Sequence, residues 1–196
     1  MKLQAKVNLK TELGLFDFSA YSDDEGELMP HLLLSNLETI TEETVVNLRI
    51  HSECITGDLF GSCRCDCGPQ LNASMNYINS NGGMLIYLRQ EGRGIGIINK
   101  IKAYNQQDLG FDTAEANRNL GFDYDARVYD EALAILESLG VTKVNLLTNN
   151  PEKLSAFENS KITVIDRVPL EIKPHLDNRS YLKTKKDFFG HLLDLV

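Results

Sequence analysis

The only four thiols of this 196-residue chain fall within fourteen consecutive positions, Cys54-Ile-Thr-Gly-Asp-Leu-Phe-Gly-Ser-Cys63-Arg-Cys65-Asp-Cys67. Thiolates this close serve either as metal ligands or as a redox device. Cys-x-Cys-x-Cys beside a single upstream cysteine favours a metal, and zinc above others. If Cys63-Arg-Cys65-Asp-Cys67 is strand-like, its odd positions share one face and Cys54 reaches them from the preceding loop. Four thiolates make a closed structural site. Three thiolates plus water make an open one, in which the metal lowers the pKa of bound water toward ~7. Spacing leaves both arrangements open, although a structural ribbon normally uses two separated Cys-x-x-Cys knuckles and this chain has none.

Three further segments carry chemistry-bearing side chains. Arg89-Gln-Glu91-Gly92-Arg93-Gly94-Ile-Gly96 follows a buried strand pattern. Its glycines allow close backbone approach to a ligand, and Arg93 can grip a phosphate bidentately. The glycine spacing matches neither a Walker A loop nor a dinucleotide fingerprint. Asp125-Ala-Arg127 is expected to begin a helix, as a capping Asp followed by a solvated Arg. Thr148-Asn-Asn-Pro-Glu-Lys153 leaves a strand for a helix start, where backbone donors, a hydroxyl and an ammonium could meet an anion.

The elements that must position these groups are legible from period and punctuation. Val7–Leu9, Phe16–Phe18, His31–Leu34 and Val45–Ile50 read as strands, with the acidic Asp23-Asp-Glu-Gly-Glu27 as a solvated loop. Gly68-Pro69 opens a helix carrying Leu71, Met75 and Ile78, and Asn81-Gly82-Gly83 stops it. A strand at Met84–Leu88 leads through the Gly-rich turn to a helix with Ile97, Ile98, Ile101 and Tyr104. Another helix is expected from about Arg127 to Leu139, then a strand at Lys143–Leu147 and a helix capped by Asn150-Pro151. A strand at Ile162–Ile165 and a terminal helix with Tyr181, Leu182, Lys185, Phe188 and Leu192 complete the pattern. Met75, Ile98 and Leu136 are expected in the core. A β-rich start followed by alternating strands and helices predicts a mixed α/β sheet flanked by helices.

Length suits one domain spanning 1–196, and 42% hydrophobic residues suffice for a core. No run approaches the ~20 apolar residues of a membrane span. The start has no signal-peptide pattern, so clustered cysteines point to a reducing cytoplasm. A formal charge of -8 opposes non-specific nucleic-acid binding. From Arg49 to Lys102, however, six cations face four anions, a local +2 that leaves -10 elsewhere. A cationic centre in an acidic chain suits a small anionic ligand. His31, His175 and His191 have no ligand spacing.

Taken in order, these segments resemble one family. Arg49-x-His51-Ser-Glu53-Cys54-x-Thr-Gly-Asp58, Arg64-Cys65-Asp-Cys67-Gly68, Arg89-Gln-Glu91-Gly92-Arg93 and Asn99-Lys-Ile-x-Ala-Tyr104 are similar to GTP cyclohydrolase II. So are Gln107-Asp108, Thr113-x-Glu115-Ala-Asn117, Asp125-x-Arg127, Leu147-Thr148-Asn-Asn-Pro151-x-Lys153, Arg167-Val-Pro-Leu and Gly190-His-Leu-Leu. The resemblance covers nearly the whole chain after about position 44 and implies the fold of that family, without a fused dihydroxybutanone-phosphate synthase domain.

The resemblance implies conversion of GTP and water to a diaminopyrimidinone ribosyl monophosphate, formate and pyrophosphate, the opening step of riboflavin synthesis. It implies Cys54, Cys65 and Cys67 as ligands of one zinc per subunit, open toward guanine C8. Cys63 stands where the family usually has an apolar residue and is expected to pack as a small buried hydrophobe. Asp125 corresponds to a general base, Arg127 to a nucleophile and Tyr104 to a tyrosine of the hydrolytic half. Because guanidinium stays protonated, stabilising charge on the α-phosphoryl is the more natural role for Arg127. Carried over as GTP-binding are Arg49, Ile50, His51, Ser52, Glu53, Gln70, Glu91, Gly92, Arg93, Thr113, Thr148 and Lys153, with Mg2+ accompanying the triphosphate. A homodimer is also implied. The alternatives are a paralogue that stops at a formylated pyrimidine and a silent GTP-binding regulatory protein.

Overall fold

The computed structural model describes residues 1–111 and 113–196, Thr113 and Ala114 by backbone alone. The elements in chain order are β1 (Lys2–Thr11), β2 (Gly14–Ser22), β3 (His31–Ser35), β4 (Val45–Ser52), α1 (Ile55–Asp58), α2 (Cys67–Asn81), β5 (Met84–Leu88), α3 (Gly96–Asp108), α4 (Thr113–Asn119), α5 (Asp130–Ser138), β6 (Lys143–Leu147), α6 (Pro151–Ser155), β7 (Thr163–Val168) and α7 (Arg179–Asp187). They form two compact units. One comprises residues 1–51, 71–89 and 129–170, the other 52–70, 90–128 and 171–196.

The first unit is built on a seven-stranded mixed sheet of order β1-β2-β3-β5-β4-β6-β7. The pairs β1/β2, β2/β3 and β3/β5 are antiparallel, whereas β4/β6 and β6/β7 are parallel. Strand β5 is apolar throughout because both faces of the sheet are covered. Met84, Ile86 and Leu88 join Val46, Leu48, Ile50, Val144 and Leu146 in one buried cluster, closed by Ala132, Ile135 and Leu136 of α5. Leu85 and Tyr87 point the other way, to Phe16 and to Leu71, Met75 and Ile78 of α2. The period-2 alternation thus sends Arg49 and His51 of β4 to the face opposite Leu48 and Ile50. Met75 and Leu136 pack as expected.

The second unit contains α1, α3, α4 and α7 with the loops between them. Its interior is rich in buried charge, with Glu53, Asp66 and Glu91 all enclosed. Here two expectations fail. Ile98 is 69% exposed and Ile101 51%, so they are not core. The packed side of α3 carries Lys100, Ala103 and Tyr104, whereas Ile98 and Ile101 lie toward solvent. Nor does a helix begin at Asp125-Ala-Arg127, since α5 starts at Asp130. The Asp125 carboxylate accepts hydrogen bonds from the Arg127 backbone N–H and side chain, a local closure that competes with helical bonding. Among the described residues no helix is long and apolar enough to cross a membrane.

Candidate active site

Cys54 stands at the N-terminal boundary of the one-turn helix α1, which its own carbonyl opens by accepting the N–H groups of Gly57 and Asp58. The Asp58 carboxylate reaches back to the Cys54 N–H at 2.9 Å, which fixes this turn. Cys65 follows a turn, and Cys67 is the first residue of α2. The segment 63–67 is therefore not a strand, as alternation suggested. A turn and a helix start bring the two thiols together instead. The sulfurs of Cys54, Cys65 and Cys67 lie within 4.8 Å of one another, a grouping able to hold a metal ion.

Gly57 makes room for this trio. A Cβ at that position would stand 2.9 Å from Cys65 Sγ, 3.1 Å from Cys67 Cβ and 3.2 Å from Cys54 Sγ. The thiols share charge among themselves. Hydrogen bonds from Cys65 and Cys67 hold the Cys54 thiol far below its ordinary pKa, helped by the ammonium of Lys100. The bond to Cys54 pushes Cys65 up to about 11, and bonds to Cys54 and Cys65 raise Cys67 well above its ordinary value. A bound cation would displace those protons, so binding would release them. Cys63 lies outside the trio, as expected, but it is exposed rather than packed. The turn that aims Cys65 inward faces Cys63 outward.

Around the thiols stands a charged and polar support. Lys100 Nζ lies 3.1 Å from Cys54 Sγ and 2.7 Å from Glu91 Oε1. Glu91 also accepts the N–H groups of Ile55, at 2.7 Å, and Gly92, at 2.6 Å. That carboxylate ties the Gly-rich loop to the start of α1. One turn beyond Lys100 on the same face of α3, the Tyr104 hydroxyl meets Thr56 Oγ1 at 3.2 Å, and Thr56 Oγ1 lies 3.7 Å from Cys54 Sγ. Tyr104 is thus a member of this site and not only part of a helical stripe. Burial raises its pKa, so its hydroxyl stays protonated.

The Gly-rich loop also receives the Asp125-Ala-Arg127 segment. Ala126 N–H donates to Arg93 O at 3.1 Å, and Val128 N–H donates to the Gln90 side chain, which also donates to Ser52 Oγ. Gly94 is required at this crossing. Its φ is +88°, and a Cβ would approach Ala126 O to 2.9 Å. Arg127 grips Asp125 through Nε and Nη2. Burial works to raise the Asp125 pKa, but the hydrogen bonds and charge of Arg127, with the charge of Arg93, outweigh it and hold the carboxyl below its ordinary range. Arg93 has φ +61°, and its buried Nη1 has no hydrogen-bond partner among the described residues.

Residues 2–169 match the family model described as GTP cyclohydrolase II. The chain belongs to the GTP cyclohydrolase II family. It is 51% identical over 188 residues to a GTP cyclohydrolase-2 of Campylobacter hominis, covering 96% of this chain and 93% of that one. It is 46% identical over 195 residues to the riboflavin biosynthesis protein RibBA of Bacillus cytotoxicus, and 47% over 193 residues to that of Bacillus cereus. Each covers 98% of this chain but 48% of the relative, so the chain spans about half the length of these RibBA relatives.

Within this GTP cyclohydrolase II fold, the residues carried over from the family divide between the units. Arg49, Ile50, His51, Thr148 and Lys153 lie in the first, where they are deeply buried. Arg49 Nη1 donates to Leu147 O at 3.0 Å, and His51 stacks on Tyr87 with centroids 5.4 Å apart. Lys153 Nζ donates to Ile50 O at 2.8 Å. Thr148 Oγ1 accepts the Asn150 N–H, and Asn150 caps α6 by accepting that of Glu152. Those two backbone donors, read above as open to an anion, are used internally. Ser52, Glu53, Gln70, Glu91, Gly92 and Arg93 lie in the second unit with the thiols. The Thr113 side chain lies outside the described residues. Lys100, Asp66 and Gly57 were not singled out as site residues. For Lys100 the signal was present, because Lys100 and Tyr104 are four apart and share one helix face.

Proposed function

We propose that the chain is a GTP cyclohydrolase II that works as a single catalytic domain, converting GTP and water to a diaminopyrimidinone ribosyl monophosphate, formate and pyrophosphate in riboflavin synthesis. The observation carrying this reading is the trio Cys54, Cys65 and Cys67 with Tyr104 beside it. Three sulfur donors in a cradle that a single Cβ at Gly57 would fill suit one zinc and leave a coordination position for water. Bound zinc would supply Lewis acidity and an activated water at neutral pH. Lys100 and Glu91 hold Cys54 and the α1 turn in place, and Tyr104 presents a protonated hydroxyl to the purine.

Arg93 is the best supported phosphate ligand, because its buried Nη1 is a donor in need of an acceptor. Arg127 is bound through two nitrogens to an ionised Asp125 and so stays a guanidinium. In that state it stabilises charge on the α-phosphoryl and is a poor nucleophile. Asp125 orients it, and Mg2+ accompanies the triphosphate. We place the enzyme in the cytoplasm, where free cysteines persist, as a homodimer. The exposed apolar residues Leu3, Val7 and Leu15 of β1 and β2 are compatible with a subunit contact.

The test is one assay of both products. Purified protein with zinc and magnesium should release formate and pyrophosphate from GTP in equal amounts. Pyrophosphate alone identifies the truncated chemistry that leaves a formylated pyrimidine. Neither product, with GTP still bound, identifies a silent regulatory protein.

A further inference from the structure

The family match ends at residue 169, yet the chain beyond it is folded and tied to itself. The Glu171 carboxylate accepts the N–H groups of Asp194 and Leu195, and Lys186 Nζ donates to the carbonyl of Val196 at 2.6 Å. Between these ties runs α7, with Leu182 fully buried and Tyr181 and Lys185 one turn apart on one face. Four contacts join this segment to the site within the second unit. Lys185 Nζ lies 2.8 Å from Asp66 Oδ1, and Asp66 is the residue between the metal-binding Cys65 and Cys67. The Arg93 guanidinium stands 4.2 Å above the Phe189 ring and 6.0 Å above that of Tyr181. Phe188 meets Tyr124, the neighbour of Asp125, edge-on at 5.0 Å.

We propose that α7 is a brace of the metal centre and that Lys185 is a positioning residue, acting through Asp66 to set the separation of Cys65 and Cys67. The Asp66 side chain is 2% exposed and that of Lys185 12%. A carboxylate so enclosed persists only when paired, and Lys185 is its cationic partner while Gln70 donates to its second oxygen. With both oxygens anchored, the Cys65-Asp66-Cys67 turn has little freedom to open. Partners one step removed from a metal typically set its affinity by about 10–100-fold. Coupling is reciprocal, so a metal that is held better because of α7 must in turn stabilise α7.

The inference rests on the metal site proposed above but not on GTP chemistry, and both arms of its test use the full chain. In the first, Co2+ replaces zinc and reports on thiolate ligation through its absorption spectrum. Lys185→Met should bind Co2+ about 10–100-fold more weakly, with altered visible bands. The double variant Asp66→Asn/Lys185→Met, which leaves no lone buried charge, should recover much of the affinity. In the second, hydrogen exchange of the unaltered protein should slow across 179–189 when zinc is added. This arm holds even if Lys185→Met does not fold. Unchanged exchange there, or wild-type Co2+ affinity and spectrum in a folded Lys185→Met, overturns the brace alone. A wild-type protein that takes up no metal overturns both the brace and the metal site.

Discussion

Lys100 places its ammonium 3.1 Å from the sulfur of Cys54 while holding the Glu91 carboxylate at 2.7 Å on its other side. One cation therefore sits between two anions in a largely buried setting. Burial alone would favour loss of its proton, but the Cys54 thiolate and Glu91 overcome this and keep Lys100 charged. Lys100→Met should leave the two anions facing each other. We expect metal affinity to fall about 10–100-fold, as for other partners behind a ligand, read by competition with a chromogenic chelator. Unaltered affinity in a folded variant would show that Lys100 is a bystander.

Gly57→Ala tests the cradle. The added methyl group would lie 2.9 Å from Cys65 Sγ against a backbone that Asp58 holds in place. The thiols must move apart, so metal uptake should drop sharply while far-ultraviolet circular dichroism stays close to wild type. Full uptake with one metal per chain would mean that the turn relaxes freely.

Asp125 makes a pH prediction. Its folded pKa lies below the ordinary carboxylate value, because Arg127 and Arg93 outweigh burial. The unfolded chain therefore binds the proton first, and the pair contributes stability above about pH 3.9 that is lost as pH falls through the lower folded value. Asp125→Asn should be less stable than wild type at pH 7, and the gap should close in acid. Thermal unfolding at both pH values measures it, and a gap that widens in acid would contradict the pairing.

Cys63 and Cys54 separate ligand from bystander. Exposed and outside the thiol trio, Cys63 should be replaceable by alanine with metal content unchanged. Cys54→Ser should lose both metal and formate release while the fold persists. Equal metal loss in both variants would mean the ligand set is wrong.

Leu136 tests the first unit. It is fully buried between α5 and the sheet. Leu136→Ala should lower unfolding free energy by about 2–5 kcal/mol in urea titration, the usual span for such a cavity. A loss under about 0.5 kcal/mol would match an exposed site instead.

Patterns that depend on near neighbours were readable without coordinates. Pro69, Leu71, Met75 and Ile78 announced α2, and Asn150-Pro151 announced α6 with its cap. The grouping of Cys54, Cys65 and Cys67, which could hold a metal ion, was also legible, through resemblance. What failed were inferences about which way a local pattern faces. Ile98 lies toward solvent, and the packed side of α3 is the one carrying Lys100 and Tyr104. Asp125 looked like a helix cap, but its carboxylate closes on Arg127 instead. An apolar family position predicts a buried Cys63, and the turn leaves it exposed.

The sequence by itself determined most of the strands and longer helices, the mixed sheet, the family and the three thiols that could hold a metal. These follow from periodicity, punctuation and ordered motifs, which are properties of residues close along the chain. Only the tertiary structure decided what supports those thiols. Lys100 to Cys54 spans 46 positions and Lys185 to Asp66 spans 119. No local pattern encodes such pairings, because a buried charge finds its partner through folding and not through spacing.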